Sequence, residues 1–206
     1  MLNPLLLRLS QMLFGWGFVG LVYNVTDRWQ GTGYVLRPGS IDLLIPFDPV
    51  GIWLYLSFFL LIPAAYFYCP QARLPWLRSG FQLSALIAGI IFMSFPTTLA
   101  YPAAPAGSLS STLLATLASI DSPQNCFPSL HMALTVLAVG ALHDSTRPLK
   151  TALLWIWGAG IAFSIIQLRR HLLVDVTAGT GLGLLSGWLC RRYFNFSQRL
   201  EEGARP

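Results

Sequence analysis

Six stretches of this 206-residue chain are long, mostly apolar and free of strict polar alternation. They are Leu5–Tyr23, Val50–Tyr68, Gly80–Leu99, Pro128–Leu142, Thr151–Leu168 and Leu172–Tyr193. A bilayer core takes about 20 such residues per helix. The alternation that marks a barrel strand is missing, so helices are favoured. The pattern predicts an all-α integral membrane protein, a bundle of six transmembrane helices. The fourth is shorter than the rest and polar at its start. Trp16, Trp29, Trp53, Tyr68, Trp76, Tyr101 and Tyr193 stand near span ends, which suits an interfacial aromatic belt. The first stretch reads as a retained span: its n-region has one basic residue, Arg8, and no small-x-small cleavage site follows. One membrane-embedded domain is expected over residues 1–206, with its core at about 41–193.

Between the spans, two segments are long, Asn24–Pro49 and Pro102–Phe127. The second carries Leu113, Leu114 and Leu117 at helical spacing and predicts a short helix lying on the membrane. Charge sets the orientation. With six spans, Arg8, Arg73, Arg78, Arg147, Lys150, Arg191, Arg192, Arg199 and Arg205 share one side, nine in all. Arg28, Arg37, Arg169 and Arg170, four in all, share the other. The excess belongs in the cytoplasm, so both termini are expected there.

Composition narrows the function. The chain is 54% hydrophobic and 10% charged, against about 25% charged in soluble domains. That excludes an ordinary soluble protein and, with so much apolar content, a disordered one. The 13 basic residues form no cluster with aromatics beside them, so nucleic acid is excluded as a partner. Cys69, Cys126 and Cys190 form no disulfide framework and are expected to pack.

Ionisable groups at the edges of spans are scarce and therefore informative. His143 stands beside Asp144 at an inward end and reads as a solvated loop residue. His131 and His171 fall at the outward starts of the fourth and sixth spans, and Asp175 follows His171 by one helical turn. A carboxylate beside an imidazole fixes its tautomer and leaves the other nitrogen free as base or nucleophile. A plain ion-paired helix start is the alternative. Around His131 the chain reads Cys126-Phe127-Pro128-Ser129-Leu130-His131. Pro128 is expected to open a helix, with Ser129 at its N-terminus, where unbonded N–H groups attract anions. A simple capping turn is the competing reading there.

Pro-Ser-Leu-His at 128–131 followed by His171-x-x-x-Asp175 resembles the type-2 phosphatidate phosphatase superfamily. Ile41-Asp42 through Pro46-Phe47, then Trp53 to Ser57, and Phe95-Pro96-Thr97 are similar to its inositol phosphorylceramide synthase branch. The likeness covers roughly residues 41 to 190. It implies six spans with the site at the outer membrane face, a membrane lipid phosphate as substrate, and neither metal nor cofactor. It also implies roles. His171 would be the nucleophile, Asp175 would orient it, and His131 would be the general acid and then the base. Ser129 and local backbone amides, that of Leu130 among them, would hold phosphate oxygens. Ser164, seven residues before His171, matches the family's Ser. The Arg usual after that Ser is Ile165 here, and Arg169 is expected to supply the charge instead. The family's first motif, Lys, six residues, then Arg-Pro, has no counterpart just before Pro128. Gln30 and Arg37-Pro38 have its spacing but precede the second span, and read as coincidence.

The expected function is a lipid phosphate or diphosphate phosphatase of a bacterial inner membrane, working through a phosphohistidine at the outer leaflet. A lipid headgroup phosphotransferase shares the chemistry up to that intermediate. Two His and a carboxylate are also a set able to hold iron or zinc, and a transporter would use ionisable groups along a path. Both are the weaker readings.

Overall fold

The computed structural model describes residues 3–203. Arg205 of the charge count, and the side chain of Arg199, lie outside what is described. Among the described residues, five helices are long and apolar enough to cross a membrane: α1 (Pro4–Trp29), α3 (Pro49–Tyr68), α4 (Gln71–Ser94), α7 (Pro148–Gln167) and the Leu173–Phe194 part of α8 (Leu173–Gly203). The predicted fourth span forms the shorter α6 (Leu130–Leu142), 13 residues long. Three small elements complete the order: α2 (Ser40–Leu44), α5 (Leu109–Ile120), and a two-stranded parallel ladder of β1 (Tyr34–Val35) on β2 (Thr97–Thr98).

Two boundaries differ from the sequence reading. Helix α4 starts and stops earlier than Gly80–Leu99. Pro96 has no N–H and disfavours helical backbone at the residue before it. Phe95 accordingly turns out at φ −140°, and Thr97–Thr98 becomes strand. Pro128 does not open α6. Ser129 caps that helix, its hydroxyl accepting from Met132 N–H at 3.4 Å, and Pro128 stands one residue outside.

Helix α6 is the centre of the bundle. All its residues except His131 and Gly140 are buried. It packs against α3, α4, α7 and α8. Its closest partner is α8, and the cause is a row of glycines four residues apart, Gly179, Gly183 and Gly187. Such rows let helix backbones approach. A Cβ at Gly179 would collide with the Ser129 carbonyl, and one at Gly183 would stand 2.6 Å from the Ala133 carbonyl oxygen. On the outside of the bundle, Leu5, Leu13, Phe14, Leu60, Ile90, Leu153, Ile156 and Trp188 are exposed. That apolar skin is what a helix presents to lipid.

Candidate active site

The close approach of α6 and α8 brings two distant segments of chain together at the starts of both helices. Ser129 N–H donates to the Asp175 carbonyl at 3.0 Å, a backbone clamp between them. The rings of His131 and His171 then lie 5.9 Å apart, centroid to centroid.

His131 sits in the first turn of α6. Its Nε2 is 3.0 Å from the Tyr55 hydroxyl on α3, and its ring packs on Tyr55 and Phe58. A phenol donating to Nε2 would put the ring's proton on Nδ1. Tyr55 belongs to the Trp53–Ser57 stretch, but nothing in that pattern marked it as a histidine partner. The N–H groups of Leu130 and His131 come before the first i−4 bond of the helix, Ala133 to Ser129, and so have no intrahelical acceptor.

His171 lies in the turn just before α8 rather than on its first turn. It is 7% exposed. Its Nδ1 is 3.7 Å from Asp175 Oδ2, too long for a hydrogen bond. That carboxylate oxygen accepts Leu172 N–H at 2.8 Å, while Asp175 Oδ1 is buried without a partner. Catalytic contacts are often loose before substrate arrives and tighten around it.

The two adjacent arginines diverge. Arg169 has φ +55°, and this left-handed turn folds its guanidinium away from the histidines. There it donates to the carbonyls of Asp42 at 2.7 Å and Ile45 at 2.6 Å. Asp42 in turn accepts N–H bonds from Gly39 and from Leu173 at the start of α8. Arg169 is thus a tie between α2 and the turn. Arg170 is 3% exposed, and among the described residues none of its three guanidinium nitrogens meets hydrogen-bond geometry. It lies over the Tyr101 ring at 3.9 Å, with Asp121 Oδ2 at 3.8 Å as its nearest anion. Sequence spacing carried no signal to prefer it over its neighbour. Ser164 is fully buried and its hydroxyl donates to the Ile161 carbonyl, one turn back in α7.

Asp121, at the end of α5, closes the site from above. Its Oδ1 takes the Tyr23 hydroxyl at 3.4 Å. Burial raises its carboxyl above the ordinary value, and Arg170 and His171 pull it back only in part. Burial likewise pushes the nearby Cys126 thiol up to about 12, with the charges of Asp175 and Asp121 adding to it. Cys126 is therefore an uncharged thiol, donating to the Pro123 carbonyl at 3.2 Å. All three cysteines are buried and free. His143, by contrast, is exposed in its loop.

Two imidazoles, a carboxylate, a buried guanidinium and the unbonded N–H groups at the start of α6 are thus gathered in one region. Comparison with known proteins adds one finding: a model of the PAP2 superfamily matches residues 83–199. That segment contains His131, His171, Asp175 and both arginines. No curated protein and no solved structure matches the chain.

Proposed function

Because the chain belongs to the PAP2 superfamily, a phosphatase and phosphotransferase family, we propose that it is a membrane lipid phosphate or diphosphate phosphatase working through a phosphohistidine. Arg170 carries this reading. Its buried guanidinium has only a loose 3.8 Å ion pair with Asp121 and no hydrogen-bonded anion, which leaves its N–H groups for a ligand. Phosphate is the anion whose geometry suits Arg best.

In the proposed first step the free ring nitrogen of His171 attacks phosphorus. The P–N bond forms as the P–O bond to the lipid breaks. His131, as imidazolium, gives its proton to the leaving alkoxide. Water then attacks phosphorus, His131 takes the water's proton, and the P–N bond breaks to release inorganic phosphate and restore His171. Asp175 steadies the positive imidazole between the steps. Arg170 and the N–H groups of Leu130 and His131 face the charge that grows on the phosphoryl oxygens. Arg169 acts one step removed, by holding the turn that carries Arg170 and His171.

The same reading counts α6 as the fourth of six crossings. On that count the excess of basic residues supports cytoplasmic termini and a site facing the outer leaflet. At 1.5 Å per residue, α6 spans only about 20 Å, so its mouth would sit recessed below the membrane surface. That depth, and the cover given by Asp121 and Tyr101, favour a second reading: transfer to an alcohol from which water is excluded. One experiment separates the two. Purified protein is offered lipid phosphates and diphosphates, with and without acceptor alcohols, and inorganic phosphate and new phospholipid are both measured. Phosphate release that needs His131 and His171 supports hydrolysis, and new phospholipid supports transfer. Neither product from any lipid overturns the proposal.

A further inference from the structure

Beside His131 a groove of about 280 Å³ runs out of the site. Its walls are Trp16, Val19 and Gly20 of α1, Phe58 and Phe59 of α3, and Leu134 of α6. Its polar lining is Tyr23, Tyr55, His131 and Asp121, with Tyr55 3.0 Å from His131 and Tyr23 3.4 Å from Asp121. From His131 a run of rings leads away. His131 is 4.8 Å from Phe58, Phe58 is 5.3 Å from Phe59, and Phe59 is 6.1 Å from Trp16. At the far end Phe59 is 41% and Leu60 68% exposed, on the apolar skin of the bundle.

The wall given by α1 is shaped by its backbone. Residues Leu13–Gly17 form a π-helical stretch. Such a stretch carries more residues per turn and shifts the faces that follow. Gly15 within it lies so close to Tyr66 that a Cβ would collide with the phenol. From Trp16 within it onward, Val19, Gly20 and Tyr23 recur at helical spacing and line one side of the groove. At Gly20 the space is open, with no heavy atom within 4 Å of where a Cβ would stand. The α1 and α3 walls also lie outside residues 83–199, the segment shared with the family.

We propose that this groove takes the hydrocarbon chain of the substrate lipid, the carbons nearest its phosphate, which enter sideways from the bilayer between α1 and α3. A cleft with polar groups beside His131, apolar walls and an opening on the lipid-facing skin complements an amphiphile held by its head. The proposal rests on the phosphatase reading for where the head sits. It assigns much of the chain selectivity to α1 and α3, outside the residues that the family model matches.

The test uses an alkyl phosphate with a photoactivatable diazirine in its chain, bound to full-length His171→Ala protein in nanodiscs so that it is not consumed. Crosslinked residues are mapped by mass spectrometry. Labels on residues 16–23 of α1 and 58–59 of α3 are expected, and their absence overturns the proposal. Labelling needs binding but no turnover, so the two readings fail separately. A labelled groove without phosphate release from any lipid sinks only the phosphatase. Phosphate release with labels elsewhere sinks only the groove. Gly20→Trp gives a second arm. Each buried methylene is worth about fourfold in binding, so kcat/KM on monodisperse alkyl phosphates is expected to rise with chain length. Gly20→Trp is expected to cut the octyl-over-ethyl preference by about tenfold or more. Gly181→Trp, which also points into open space but lies on α8 away from the groove wall, keeps the preference. An unchanged preference in folded Gly20→Trp counts against the proposal.

Discussion

Arg73 and Arg170, near opposite ends of the α6–α8 pair, are used differently. Away from the histidines, Arg73 donates to the carbonyls of Ala141 at 2.9 Å and His143 at 2.6 Å, and Trp76 donates to the Gly187 carbonyl at 2.8 Å. These side chains are spent on holding helix ends. At the histidine end, Arg170 has three unbonded nitrogens, and His171 Nδ1 and Asp175 Oδ1 are unbonded as well. The contrast repeats within two residues, since Arg169 is fully engaged and Arg170 is not. In an apolar bundle a buried polar group without a partner is costly. On the proposed function, Arg169 is bonded because it holds the turn, and Arg170 is left unbonded to receive the substrate phosphate.

The sharpest way to break this contrast is to remove an imidazole. His171→Ala and His131→Ala are each expected to lower kcat/KM for lipid phosphate by about 10³-fold or more, with the thermal transition in detergent preserved. The arginines come next. Arg170→Ala should lower kcat/KM by about 10²–10³-fold and leave stability nearly unchanged. Arg169→Ala should do the reverse, costing about 1–3 kcal/mol in denaturant unfolding because two loop carbonyls lose their donor. If the two variants exchange behaviours, Arg169 is the phosphate ligand and the contrast fails.

A third comparison uses the glycine row. Gly179→Ala pushes a methyl group onto the Ser129 carbonyl and is expected to cost about 1–3 kcal/mol, with activity falling because the site's backbone clamp opens. Gly187→Ala meets only the far ends of the Leu137 and Trp76 side chains, at 3.1 Å. It should be milder in stability and silent in activity.

The smallest effect concerns Asp121. Its pKa is raised in the folded protein, so folding favours the protonated carboxyl. That contribution is fully present below the carboxyl's ordinary pKa and is lost as pH rises through the raised one. Asp121→Asn should therefore be more stable than wild type at neutral pH, and the gap should close on acidification. Melting curves from pH 4 to pH 7, spanning that window, check the sign. The substitution should also lower KM, since a substrate phosphate no longer competes with a carboxylate for Arg170.

How much of this was legible in the chain depends on what fixes each feature. Long apolar runs fix helices by length, and five of the six stretches became helices long enough to cross a membrane. The two His motifs were legible because they lie at the mouths of apolar runs, and Ser129 was legible as a helix-start residue. The boundary of α4 was missed because the effect of Pro96 on Phe95 was given too little weight. The choice between Arg169 and Arg170 was not legible, since it turns on one left-handed dihedral at Arg169. Tyr55 and Asp121 reach the site only through packing of α3 and α5 around α6. Asp42 ties α2 to α8 across 131 residues of sequence, and no local pattern carries that distance.

The central claim is that Arg170 and the two histidines receive a phosphoryl group. It is tested most directly by rapid acid-free quenching of the protein with a phosphate-labelled lipid, followed by peptide mass spectrometry. A base-stable, acid-labile phosphate on His171, lost in His171→Ala, is the expected result. Turnover that persists in His171→Ala, or a phosphoryl group carried by another residue, would contradict it.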